Sequence, residues 1–494
     1  MRIVICGGGT AGCVVAARLS EEPGCEVILL ERGPHYPPGG WPSELRHAFR
    51  IIKETHDWQW FARAGASPRL VHVPRGRVVG GSSVTNGAIA LRGHPEHYDE
   101  WDEWIDGWGW ESWLPWFRRL EADRDHGSEP YHGGDGPITI SRWPRDTWFE
   151  LQERFAQAAQ AAGHSWVDDH NAPGALGIGP VPLNMVDGVR QTPADHYLAP
   201  ALASLDNISL ITGLTVDRIE MDGDRAVAVH TIDEDGATAR HEADAVIMAL
   251  GTYATPAALL RSGIGPEDEL SRHAITPRVN LPVGLGMQDH PKISYRFDIG
   301  LPVPEWPNPW FQCLLTGEVE VAGERRVYQV MPYSGQNEAG QRFTDINVQV
   351  SDARSRRGRV RLGSRDPLGQ PALEMGWLED DGDRSVAVAA GEQLMTVSRT
   401  APLADVLSPW ANIADPDQVL RTVETFHHPV GTCRMGRADD PGAVTDGDGR
   451  VRDCDGLWIM DASIMARVPS ANTHLAVIAM AERLADGFRS TVTS

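Results

Sequence analysis

Residues 1–12, Met1 to Gly12, read MRIVICGGGTAG. Arg2 to Cys6 is a run of β-formers long enough for one buried strand. Gly7, Gly9 and Gly12 supply G-x-G-x-x-G, and Ala11 to Leu19 (AGCVVAARL) carries the apolar spacing of a helix. Strand, tight turn and helix make the first half of a dinucleotide-binding βαβ unit. One glycine permits the turn, one lets a pyrophosphate approach bare backbone, and one lets the helix sit close to the strand. The helix start, at Thr10 and Ala11, offers unpaired N–H groups and a positive dipole end to the phosphates. With 51 glycines in the chain a chance match has to be weighed. A second strand, Cys25 to Leu30 (CEVILL), tells against chance: it closes on Glu31, about 20 residues after the glycines, where a carboxylate can hold a ribose hydroxyl. Glu31 disfavours a 2′-phosphate, but Arg32 follows directly and leaves that open. The sequence therefore points to an adenine dinucleotide of undecided type.

At 494 residues the chain is long for one core, and length alone suggests roughly three domains at about 150 residues each. Its 41% hydrophobic and 23% charged residues describe an ordinary globular protein. It has no run of about 18 apolar residues to span a membrane. A strand beginning at Arg2 leaves no room for a signal peptide, so a cytoplasmic location is expected. The formal charge of −23 argues against nucleic acid and anionic membranes as partners. The six cysteines (Cys6, Cys13, Cys25, Cys313, Cys433, Cys454) contain no C-x-x-C and read as reduced thiols. No metal-ligand spacing stands out.

Downstream of Glu31, Gly33 to Pro42 is a Pro/Gly-rich loop. Arg75 to Arg92 reads RGRVVGGSSVTNGAIALR, where Gly80, Gly81, Ser82 and Ser83 form a small-residue turn and Asn86-Gly87 a second. Backbone and hydroxyls there could lie against a flat ligand, although alone it is a plain Gly/Ser loop. Six tryptophans between Trp101 and Trp116, several three apart among acids, read as an amphipathic helix burying rings against a sheet. Residues 143–192 are mostly helical, then loops. Asn207 to Glu220 and Arg225 to Ile232 alternate like strands of a small meander around the Gly223-Asp224 turn. Ala243 to Leu250 is a further buried strand running into Gly251-Thr252. From Lys292 to about Thr425, segments such as Arg326–Met331, Asp345–Val350 and Gly358–Leu362 suggest an antiparallel sheet, with a helix over Ala387–Thr400. VPEWPNPWF at 303–311 is a lid or a surface loop.

Five ordered motifs together resemble the glucose–methanol–choline (GMC) oxidoreductase family of FAD-dependent alcohol oxidases and dehydrogenases. They are Gly7–Gly12 with Glu31 and GRVVGGSSVTNG at 76–87, YDEWDEWIDGWGWESWLPWFRRLE at 98–121, GTYATPAALLRSGIGP at 251–266 with VGLGMQDHP at 283–291, HHPVGTCRMG at 427–436, and DASIMARVPSANTHLAVIAMAERLAD at 461–486. The resemblance implies an α/β fold (α+β overall), a Rossmann-like FAD-binding domain interleaved with a substrate domain built on an antiparallel sheet. The expected segments are 1–142 and 193–291 for FAD, 143–192 and 292–425 for substrate, and a C-terminal part, 426–494. It places the isoalloxazine contact at Asn86, adenine near the Val216 backbone, and ribityl and pyrophosphate contacts at Asp461 and Ala462. Gly80, Ser82, Ser83, Gly87, Ala88, Gly251 and Thr473 complete the implied cofactor set. Some members link the flavin covalently to a His one residue before that Asn; here the residue is Thr85, so non-covalent FAD is expected.

Flavin oxidation of an alcohol needs a base for the hydroxyl proton, and His suits neutral pH. Among 18 histidines a lone His means little, but His428 in H-H-P-V-G-T matches the family's catalytic position, and its neighbour His427 does not. His474 matches the position held by His or Asn, where it would orient the hydroxyl and stabilise the alkoxide. Independently, Thr473 to Phe488 has helical period, with Pro469, Ser470 and Asn472 as start signals. That helix start at a flavin edge would favour negative charge by about 0.3–1 kcal/mol. The expected activity is oxidation of an alcohol to aldehyde or ketone, with O₂ or another electron acceptor and a slight preference for aromatic or apolar substrates. A flavin-containing hydroxynitrile lyase and a nicotinamide-dependent dehydrogenase are the alternatives.

Overall fold

The opening glycine turn folds as its spacing requires. In a computed structural model describing residues 1–48, 51–64, 69–302, 309–336, 342–409 and 421–492, β1 (Arg2–Cys6), α1 (Thr10–Ser20) and β2 (Glu26–Leu30) form the βαβ start. β1 and β2 are parallel, in register from Arg2 opposite Glu26 to Cys6 opposite Leu30. Three more parallel strands complete the layer: β3 (Ile208–Ile211) beside β2, β4 (Ala245–Met248) beside β1, and β5 (Leu457–Ile459) beside β4. The order β3-β2-β1-β4-β5 has β1 at its centre. Ile3 to Cys6 and Ala245 to Met248 are completely buried, the unbroken apolar run of strands covered on both faces. α2 (Gly251–Arg261) starts directly after β4, and α3 (His474–Val492) packs on α1.

A second sheet is wholly antiparallel. Its order is Leu407–Pro409, Pro291–Ile299, Arg342–Val350, Glu324–Gln336, Cys313–Val321 and Gly177–Pro180, with Glu424–Thr425 also paired to Pro291–Ile299. Helix Asp381–Ser398, capped by the Asp380 carboxylate on the Asp383 N–H, packs on its back. Part of the 143–192 insertion thus joins this sheet, through Gly177–Pro180 and the packed helix Glu150–Ala161.

Three local readings change. The run 207–220 divides: Ile208–Ile211 is a parallel strand of the nucleotide layer, and only Thr215–Asp222 enters the meander, with Arg225–Ile232 and a third strand, Thr238–Glu242. Alternation could not show this, because the exposed edge strand β3 buries one face as a meander strand does. Gly358–Arg361 leaves the large sheet for a smaller one with Leu285–Met287, Ala372–Met375, Phe61–Ala64 and Leu70–His72. The tryptophan segment is a 3₁₀ turn, Glu100–Glu103, followed by a helix, Trp110–Leu120. Trp101, Trp108 and Trp113 are buried as expected, packed on one another at 5.2–6.1 Å between centroids. Of the 303–311 stretch, 303–308 lies outside the described residues. Among the described residues no helix is long and apolar enough to cross a membrane, and no group of three or more His, Cys, Asp and Glu could hold a metal.

Candidate active site

One cavity of about 1900 Å³, its open mouth included, runs from the start of α1 to the start of α3. At the α1 end the chain presents backbone. Gly7 has a φ of +104°, open to glycine at little cost. A Cβ at Gly12 would stand 1.8 Å from the Gly7 carbonyl oxygen, so helix and turn touch there. Gly9, the residue before α1, has no side-chain cap, and no acidic residue occupies the first turn of the helix. The N–H groups of that first turn lack intrahelical partners and face a free space, the arrangement that suits an anion. Gly80 donates its N–H to the Gly8 carbonyl at 2.7 Å, and a Cβ on Gly81 would come within 2.8 Å of Gly9 Cα. The second glycine pair therefore braces the first.

Glu31 lies at the end of β2. Its carboxylate accepts from the Gly8 N–H at 2.8 Å and the Gly33 N–H at 2.7 Å, while burial pushes it up to about 7. Gly7, Gly9, Thr10, Ala11, Glu31, Arg32, Ser82, Ser83, Asn86, Gly87, Val216, Gly251, Asp461, Ala462, Thr473, His428 and His474 all line the cavity. Gly12, Gly80 and Ala88 do not: the first two shape the turns, and Ala88 belongs to a buried apolar cluster with Phe311 and Leu314. Near Val216 the wall continues through Arg261, Pro367 and Pro371, which the sequence reading missed. The carboxylate of Asp461 accepts from the Gly251 N–H (2.8 Å), the Thr255 hydroxyl (2.6 Å) and the Ser463 N–H (2.8 Å). It ties the start of α2 to the end of β5.

At the α3 end the cavity is faced by side chains. His428 is buried and reached on both ring nitrogens. Its Nδ1 is 2.9 Å from His290 Nδ1, and its Nε2 is 3.1 Å from Asn472 Nδ2. Gln349 Nε2 also approaches His290 Nδ1 at 3.1 Å. With the amide nitrogens of Gln349 and Asn472 as donors, His428 carries hydrogen on Nδ1 and donates to His290, leaving Nε2 as acceptor. The backbone N–H of His428 is held at 2.8 Å by Asp289, whose carboxylate also takes the Thr425 hydroxyl and the Trp377 indole N–H. Burial pushes Asp289 up to about 6 and His290 down to about 3. It also holds His428 well below the usual histidine range, with His290 and Arg75 adding to the effect. His474, first residue of α3, is lowered to about 4 by burial and then by the charge of Arg190, and its Nε2 is buried without a partner. Asn472 Oδ1 likewise lacks one.

His427 lines the same cavity with a φ of +72°, an uncommon conformation for a residue with a Cβ. Its carbonyl takes the Arg75 guanidinium at 3.2 Å. Phe311, Phe426 and Ile51 supply apolar wall, with Phe426 5.5 Å from the His428 ring. His290 and Asn472 escaped the sequence reading as site residues. His290 sat inside the quoted VGLGMQDHP stretch, and Asn472 among helix start signals, so the segments were visible and the roles were not.

The fold and this pairing of a nucleotide turn with buried histidines define a GMC-type oxidoreductase. Family models for the N-terminal and C-terminal parts of GMC oxidoreductases match residues 1–292 and 353–481, and the chain belongs to that family. It is 31% identical to an oxygen-dependent choline dehydrogenase of Vibrio vulnificus, over 98% of this chain and 93% of that protein. It is 32% identical to a 5-(hydroxymethyl)furfural oxidase of Methylovorus sp., over 98% and 97%. Among solved structures it resembles pyridoxine 4-oxidase from Mesorbium loti, with a TM-score of 0.90, 29% identity and 99% of both chains covered. The chain is therefore an oxidoreductase related to enzymes of small alcohols.

Proposed function

We propose that this chain is an FAD-dependent alcohol oxidoreductase that removes the hydroxyl proton at His428. The observation that carries the reading is the single cavity joining the α1 turn to the His428–His474 pair. The residues present fit FAD. The first turn of α1 and Gly9 suit a pyrophosphate, Glu31 a ribose, the Leu214–Val216 and Pro367–Pro371 walls an adenine, and Asn86 with the unpartnered His474 Nε2 a polar ring edge. When bound, FAD supplies the hydride acceptor. Thr85, at the cavity wall, offers no imidazole for a covalent link, which supports non-covalent binding.

The chain's own part is proton chemistry and orientation. Kept neutral by burial, His428 presents Nε2 to an alcohol O–H that displaces the Asn472 N–H from it, and a base so placed contributes about 10²–10⁴-fold. His290 Nδ1 takes the hydrogen bond from His428 Nδ1–H before and after the transfer, so the ring does not turn. Asn472 can present its free Oδ1 once Nε2 carries the proton. His474 holds the substrate oxygen from the other side.

The relatives' names are those of alcohols: choline, 5-(hydroxymethyl)furfural and pyridoxine. Here the apolar wall of Phe311, Phe426 and Ile51 favours an aromatic or apolar alcohol. His427 is depressed by burial and then by Lys53, Lys292 and Arg75, of which Lys292 is paired with Glu424 at 2.8 Å; the positive charge left on that side disfavours a quaternary ammonium. The electron acceptor is O₂ or another oxidant. The test is the visible spectrum of the purified protein, recorded anaerobically with aryl alcohols, aliphatic alcohols and choline, then in air. Bleaching by aryl alcohols at concentrations where choline has no effect is expected. A flavin that no alcohol bleaches, with cyanide released from cyanohydrins, would replace the redox reading by the lyase.

A further inference from the structure

Arg190 is 3% exposed and reaches the cavity wall from the far end of a two-residue hairpin, Met185–Val186 with Val189–Arg190. The hairpin is rigid. Buried Asn184 closes it by donating Nδ2 to the Gln191 carbonyl at 2.6 Å and receiving the Gln191 N–H on its own carbonyl at 2.9 Å. From there Arg190 Nη1 donates to both oxygens of Asn86, the backbone carbonyl and Oδ1, each at 2.6 Å. Nη2 donates to the His47 carbonyl at 3.2 Å. The Ala88 N–H, turned inward by a φ of +56°, donates to the same Asn86 Oδ1 at 2.9 Å.

Two donors on Oδ1 fill both lone pairs of that oxygen. The amide is then fixed in one orientation, and its two N–H groups are the remaining polar end of a side chain that lines the cavity. A neutral residue in place of Arg190 would leave Oδ1 with the Ala88 N–H alone, so that one donor instead of two holds the amide. Arg190 carries a second effect. Its charge is felt at His474, the other polar group on this wall, and burial costs the guanidinium enough to lower it to about 9. A cation held in a low-dielectric wall favours whatever gains negative charge beside it.

We propose that Arg190 is a positioning residue, fixing the Asn86 amide with its N–H groups toward the flavin and favouring the reduced cofactor through its charge. This rests on the FAD reading above. No sequence signal marked Arg190, because a hairpin about 100 residues downstream of Asn86 shows no pattern that ties the two together.

The experiment compares wild type, Arg190→Met and Arg190→Lys as flavin-loaded proteins. Each is read for the midpoint potential of the bound flavin, its dissociation constant, and the affinity of the oxidised flavin for sulfite. For Arg190→Met the potential is expected to fall by about 30 mV, a tenfold change for a two-electron couple, with sulfite binding weakened to a similar degree. Arg190→Lys keeps the charge and loses the fork, so it is expected to recover most of the potential while binding FAD more weakly. A potential and a sulfite affinity unchanged in Arg190→Met overturn the proposal. If Arg190→Met holds no flavin, Arg190→Lys decides: unchanged FAD affinity in that variant overturns it. A wild type that takes up no FAD at all overturns the FAD reading, and the Arg190 proposal with it, which separates the two failures.

Discussion

At the α1 end of the cavity the groups that face it are backbone, drawn from one stretch of 12 residues and braced by a second at Gly80–Gly81. At the His428 end they are side chains, those of Asn86, His428, Asn472 and His474, with Arg190 and His290 holding Asn86 and His428 from behind. The first end depends on what is missing, a Cβ. The second depends on what is present, a set of donors and acceptors that hold one another in place. The two should therefore break differently: the glycine end by steric intrusion, with the whole cofactor site lost, and the histidine end by loss of chemistry in a site that still folds.

The largest expected effect is at Gly12. An alanine there sets a methyl 1.8 Å from the Gly7 carbonyl oxygen, which is backbone and cannot rotate away. Overpacking of a tight contact costs typically 1–3 kcal/mol and more where the neighbour is fixed. Gly12→Ala is expected to purify without flavin and to melt well below wild type, measured by the absorbance ratio and by thermal unfolding. Full flavin occupancy in that variant would show that the turn is looser than its geometry. Next is His428→Ala, which touches only chemistry. Bound flavin should stay at wild-type stoichiometry while anaerobic reduction by alcohol slows by about 10²–10⁴-fold. Normal reduction would remove His428 as base.

This contrast also explains what the sequence made legible. Gly7–Gly12 and Glu31 were readable because steric and backbone demands act over a few residues and leave a fixed spacing. His428 and His474 were singled out by resemblance, since a histidine's role depends on what surrounds it in space. His290, Asn472 and Arg190 were invisible for the same reason. Each matters through a contact made only in space: with Nδ1 of His428, with Nε2 of His428, and with Oδ1 of Asn86. Asp461 is an intermediate case. The family resemblance makes it a cofactor contact, and its position at the end of β5 does line the cavity, but its carboxylate serves Gly251, Thr255 and Ser463. Asp461→Asn would set an amide N–H₂ against one of these donors, at a cost of about 1–3 kcal/mol. Stability should fall by that amount in denaturant titration, with reduction kinetics much less affected than in His428→Ala. A collapse of the reduction rate at unchanged stability would instead make Asp461 part of the chemistry.

The smallest effect sharpens the comparison through pH. Burial lowers His170 and His474 to about 4 and His290 to about 3, and holds His427 and His428 well below their ordinary range. The fold keeps these rings neutral, whereas the unfolded chain takes up protons below about pH 6.5, so stability is lost as pH falls from there toward the folded values. At pH 5 a ring lowered to about 4 contributes a loss of about 2 kcal/mol by this linkage. Glu31, raised to about 7, and Asp289, raised to about 6, act in the opposite sense, because the fold protonates them while the unfolded chain is still ionised. Asp352, Asp446 and Asp461 are raised as well. Among the described residues more histidines are lowered than carboxyls are raised, His94, His97 and His164 included, so the histidines are in control and the melting temperature is expected to fall between pH 7 and pH 5. His474→Asn should remove part of that slope, because it deletes one of the titrating rings. Glu31→Gln should steepen it, because it deletes a group that opposes the loss. Equal slopes in all three proteins would mean that His474 and Glu31 titrate in the fold as they do in the unfolded chain, and burial in this cavity would then not govern their charge.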